Sequence, residues 1–169
     1  MNEQENMKKD EVQNNSLIIQ DKGELLSQTE IVTRSVIRNL IREAMDGMER
    51  AYAPYSHHHV GAALLTMNEK IYTGCNIENA SFSPTNCAER TALYKAISEG
   101  EREFAAIAIV GGKEGIISDF CPPCGVCRQA LREFVDPKSF LVILARSEED
   151  YVIYSLDALL PLSFGPDSL

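Results

Sequence analysis

A chain of 169 residues, 44% of them hydrophobic, is long enough for one domain with a sizeable core, and it has no apolar run able to cross a bilayer. Its formal net charge of −9 and its lack of any Lys/Arg cluster argue against nucleic acid, whose phosphates require a basic face; a small, weakly charged substrate suits this balance better. Five cysteines is an odd number, three of them crowd into Cys121–Cys127, and the polar N-terminus is not signal-like, so a cytoplasmic, metal-binding protein is expected rather than a disulfide framework.

Residues 1–28 are polar apart from Leu17-Ile18-Ile19 and read as a flexible extension preceding a catalytic domain over 29–169. From Thr29 to about Tyr52 apolar residues recur at helical spacing, with Thr29 or Thr33 as cap, and Ala53-Pro54-Tyr55-Ser56 breaks the helix. Val60–Met67 and Ile71–Asn76 read as a hairpin about the turn Asn68-Glu69-Lys70. Asn86 suits the N-cap of a second helix reaching Ser98, where Gly100 ends it. Phe104–Val110 is almost continuously apolar, as a buried central strand should be. Gly111–Pro123 looks irregular, Gly125–Val135 helical, and Phe140–Ala145 and Tyr151–Tyr154 read as the last strands before an end that is Leu-rich and then loop-like. The order helix, hairpin, helix, strand, helix, strand, strand predicts an α/β domain with a mixed five-stranded sheet between helices.

Cys87 and the run Cys121-Pro122-Pro123-Cys124-Gly125-Val126-Cys127 each lead into a helical pattern. Sulfurs at helix N-termini favour the thiolate. Cys87, Cys124 and Cys127 with water as a fourth ligand would make an open, catalytic zinc site. Two alternatives stand beside it: a closed structural zinc held by all four cysteines, and a dithiol redox pair at Cys121 and Cys124. Glu89 is either an acid favouring a helix start or a proton carrier beside the metal. Arg90 and Arg128 follow the two cysteine segments; either is a surface arginine or a guanidinium that offsets the thiolate charge.

Cys87-Ala88-Glu89-Arg90 followed by Pro123-Cys124-Gly125-Val126-Cys127-Arg128-Gln129 resembles the compact, homotetrameric type of cytidine deaminase. Ala51–Ser56, Val60–Leu64, Gly74–Ala80 and Leu159-Leu160-Pro161 with Phe164 extend the similarity from about Ile31 to the end. The resemblance implies the cytidine-deaminase-like three-layer fold and one Zn²⁺ per subunit on Cys87, Cys124 and Cys127. It also implies that Glu89 moves protons, that Arg90 bonds the thiolates, and that Asn76 and Glu78 hold the ribose hydroxyls. Ala88 and His58 belong to the substrate site, and Phe164 completes a neighbouring subunit's site in a homotetramer. The implied reaction is hydrolytic deamination of cytidine or 2′-deoxycytidine in pyrimidine salvage. A related aminopyrimidine nucleoside such as blasticidin S is the alternative substrate, and a non-catalytic zinc module the alternative class. Two positions depart from the family: His58 stands where Phe is common, and Phe82 where Tyr is frequent. Alternate members of His57-His58-His59 would face opposite sides of a strand, which disfavours a histidine metal site.

Overall fold

The computed structural model describes residues 31–169, so the extension expected over 1–28 lies outside the described residues. Helix α1 runs Arg34–Met48, and of the two expected caps Thr33 serves, its hydroxyl accepting the Val36 N–H. A hairpin follows, β1 His58–Thr66 and β2 Ile71–Cys75. Helix α2 is Ala88–Ser98, β3 is Phe104–Lys113, α3 is Gly125–Arg132, β4 is Leu141–Ala145 and β5 is Tyr151–Ser155. A short helix α4, Leu156–Leu159, forms in the Leu-rich stretch after β5; the Ser155 hydroxyl caps it by accepting the Ala158 N–H.

The five strands form one mixed sheet in the order β2-β1-β3-β4-β5. Only β3 and β4 are parallel, and the connection between them carries α3. Period-two alternation along β1 sends Ala63 and Leu65 to one face, against Leu40, Ile41 and Ala44 of α1. Ala62 and Leu64 face the opposite side, against Ala92, Leu93 and Ala96 of α2 and Leu131 of α3. Strand β3 is buried on both faces, which is why its sequence shows no alternation. Helices thus cover both faces, giving the three layers expected. Among the described residues, no helix is long and apolar enough to cross a membrane.

Three local expectations are corrected. Asn86 does not cap α2: its backbone bridges to Ile77 and its side-chain amide donates to the Thr91 hydroxyl, leaving Cys87 in the N-cap position. Helix α3 stops at Arg132 rather than Val135. Strand β3 continues through Gly111 and Gly112 to Lys113, paired with β1. The sheet and its helix layer meet closely beside α2: a Cβ on Gly74 would lie 2.5 Å from Ala92 N and 3.0 Å from Thr91 Cβ, so only glycine lets β2 pass under that helix.

Candidate active site

Helices α2 and α3 lie on the same sheet face, and each begins at a cysteine. Cys87 is the N-cap of α2, and Cys124 is the N-cap of α3, its sulfur accepting the Cys127 N–H at 3.4 Å. Two helix starts therefore bring three sulfurs together. Cys87 and Cys124 Sγ are 3.9 Å apart, Cys124 and Cys127 Sγ 3.4 Å, and all three lie within 4.8 Å of one another. Cys121 stands outside this group. Its Sγ is 3.9 Å from His58 Nε2 and fills the space where a Gly111 Cβ would sit.

The electrostatics follow from that crowding. The Cys87 thiol is lowered to about 5, chiefly by its hydrogen bond with Cys127 and then by Arg90, against the effect of burial. Cys127 is pushed up because it shares its proton with the Cys87 sulfur and is buried. Three mutually close sulfurs hold one another's protons unless a cation stands among them, and a soft, thiophilic dication fits this donor set. Arg90 NH2 lies 3.8 Å from Cys87 Sγ and donates to Thr85 O at 3.2 Å, while its buried Nε has no protein partner. A guanidinium placed against these sulfurs favours their ionised form. Cys121, by contrast, is raised to about 11 by burial and by the charges of Glu89 and Cys87, and it stays a thiol.

Glu89 sits in the first turn of α2 and is only 4% exposed. Burial, followed by the nearby Cys87 sulfur, raises its carboxyl above the ordinary glutamate range.

Residues 34–143 match the family model described as the cytidine and deoxycytidylate deaminase zinc-binding region. The chain belongs to this deaminase family. It is 46% identical over 133 residues to the cytidine deaminase of Sporosarcina psychrophila, covering 79% of this chain and 94% of that one. It is 40% identical over 133 residues to a probable cytidine deaminase of Dictyostelium discoideum, covering 79% and 86% respectively. Among solved structures, the cytidine deaminase from Burkholderia pseudomallei superposes with a TM-score of 0.68 at 46% identity, over 75% of this chain and 97% of that one. The metal is therefore zinc, and Cys87, Cys124 and Cys127 are placed to hold it.

Around this deaminase centre the remaining candidates fall into place unevenly. Asn76 and Glu78 both reach the segment that enters β1. Asn76 accepts the Val60 N–H and donates to His58 O, each at 2.8 Å, and Glu78 Oε2 accepts the N–H groups of Tyr55 and Ser56. Each keeps a further hydrogen-bonding position beyond those contacts. The Glu78 carboxylate is held below its usual range by the Ser56 and Tyr55 contacts. Ala88 is fully buried, with its backbone N–H in the unpaired first turn of α2. Phe82 is 80% exposed. Arg128 touches no sulfur; it donates to Pro123 O at 2.8 Å and Leu159 O at 2.5 Å, tying the metal loop to the C-terminal segment. Phe164 is exposed, and its carbonyl accepts from Gln129 Nε2. The contacts of Gln129 and Arg132 with the C-terminal segment have no counterpart in the sequence reading. Their signal was weak: two polar residues on a short helix, with partners more than 30 positions away.

Proposed function

We propose that this protein hydrolyses cytidine and 2′-deoxycytidine to uridine and 2′-deoxyuridine with release of ammonia. The observation that carries this reading is a buried carboxylate, Glu89, two residues from one of three sulfurs gathered at two helix starts. Cys121 stands apart, which leaves a three-sulfur donor set and disfavours both a closed four-cysteine site and a redox pair. When bound, zinc supplies an electrophilic centre that makes water acidic enough to attack near neutral pH. Glu89 accepts the proton of the attacking water and delivers protons to the pyrimidine ring nitrogen and to the departing amine, so the water oxygen replaces the exocyclic nitrogen and ammonia leaves. A carboxyl held in a buried site suits both directions of transfer. Arg90 offsets the excess negative charge of three thiolates on a dication. Glu78 and Asn76, with their remaining hydrogen-bonding positions, hold the ribose hydroxyls, and the Ala88 N–H meets the base. His58 forms a wall of the base site, and Phe164 completes it from a neighbouring subunit of a homotetramer. Such an enzyme belongs to pyrimidine salvage in the cytoplasm.

The test is ultraviolet monitoring of cytidine conversion by purified protein, with zinc measured in parallel. One zinc per subunit with turnover is expected, together with loss on chelation and recovery when zinc is restored. Stoichiometric zinc without turnover of any nucleoside would identify a structural metal module. Turnover confined to blasticidin S would move the substrate assignment to that class.

A further inference from the structure

Three side chains of α3, the helix that carries Cys127, grip the C-terminal strap, residues 159–169. Arg128 donates to Leu159 O, Gln129 Nε2 donates to Phe164 O at 3.0 Å, and Arg132 Nε donates to Ser163 Oγ at 3.0 Å while its NH2 pairs with Asp167. The Arg132 side chain is only 8% exposed, although Asp167 is 75% exposed. The guanidinium thus lies beneath the strap rather than on the surface. Gly165 rests flat against it: a Cβ there would overlap the guanidinium carbon and approach both terminal nitrogens to 2.6 Å. The Gly165 backbone is extended, with φ −156° and ψ −174°, a conformation open to any residue. A methyl group at this position would be accepted by the backbone but would have to push the Arg132 guanidinium aside.

Ser163 and Gly165, the residues flanking Phe164, both touch Arg132, and the Phe164 carbonyl is held by Gln129. The ring between them stays 61% exposed, and Leu162 is fully exposed. We infer that Arg132 is a positioning residue: its planar fork fixes the strap on both sides of Phe164, so that the ring is presented to a neighbouring subunit's substrate site. The inference rests on the proposed shared-site role of Phe164. Lysine could not replace Arg132, because an ammonium has neither the flat face that Gly165 lies on nor the fixed fork that spans Ser163 and Asp167.

Four variants test this: Phe164→Ala, Arg132→Ser, Gly165→Ala and the Arg132→Ser/Gly165→Ala double substitution. KM and kcat for cytidine, bound zinc, and the rate of C-terminal trimming by carboxypeptidase are measured for each. Phe164→Ala and Arg132→Ser should each raise KM about tenfold with kcat changed less than about twofold, the pattern of lost binding rather than lost chemistry. Zinc should be retained and trimming accelerated in Arg132→Ser. Gly165→Ala should raise KM as strongly in the parent, but add less than about twofold when Arg132 is already serine, because the added methyl then has nothing to displace. Equal effects of Gly165→Ala in both backgrounds would overturn the clamp, as would unchanged KM and trimming in Arg132→Ser. If Phe164→Ala leaves KM unaltered, the shared-site reading itself fails. Faster trimming in Arg132→Ser would then mark a purely structural tie, and the positioning role would fall.

Discussion

Glu89 and the three sulfurs owe their arrangement to where two helices begin. A residue at or just after an N-cap sits beside unpaired backbone N–H groups, where a negative charge is favoured. That setting stabilises thiolates and also crowds a carboxylate against them in a buried site, where it becomes reluctant to ionise. If Glu89 carries the protons, Glu89→Gln should keep its zinc and lose turnover by at least the ~10²–10⁴-fold typical of one acid–base group. Near-normal turnover by the zinc-loaded variant would remove Glu89 from the reaction. The geometry makes an equally sharp distinction among the cysteines. Cys121→Ser should retain stoichiometric zinc, because that sulfur faces His58 and Gly111 rather than the cluster. Cys124→Ala should lose zinc and activity together. Zinc loss from Cys121→Ser would mean that the other Cys-x-x-Cys pair holds the metal.

At the scale of elements, the site depends on how closely α2 lies over the sheet. Gly74→Ala would drive a methyl group into the backbone of α2 at Ala92, one turn beyond Cys87 and Glu89. Overpacking of this kind costs about 1–3 kcal/mol. Thermal unfolding should register it as a loss of roughly 2–4 °C per kcal/mol for a domain of this size. An unchanged Tm would show that helix and strand separate more freely than their contact implies. The elements themselves were readable from sequence wherever the apolar pattern was strong, by helical spacing in α1 and by an unbroken apolar run in β3. What sequence could not supply was the reason for each boundary. Asn86 has the composition of an N-cap, yet a backbone bridge to Ile77 claims it. Gly111 and Gly112 suggest a break, yet they extend β3 by pairing with Val60 and His59 of β1, and they lack side chains because the 116–121 loop packs there. The zinc ligands were legible because a metal demands fixed residue types at short spacing. The roles of Arg128, Gln129 and Arg132 were not, because each is defined by a partner about 30 positions away that leaves no local pattern.

At the scale of the whole molecule, the C-terminal strap buries little of its apolar surface within its own chain. Phe164 and Leu162 expose apolar side chains that contribute little to either core cluster, while the backbone around them is held firmly to α3. Fixing a segment costs conformational entropy, and an exposed aromatic returns little of it to an isolated chain. A partner surface would recover that loss, since aromatic side chains bury large areas at interfaces. If Phe164 completes a neighbour's site, activity and association must fall together on dilution, because a separated subunit loses one wall of its own base site. Specific activity should therefore drop over the same concentration range in which sedimentation shows the assembly dissociating. Phe164→Ala should shift that range to higher protein concentration. A monomer that retains full specific activity would show that each chain's site is complete by itself.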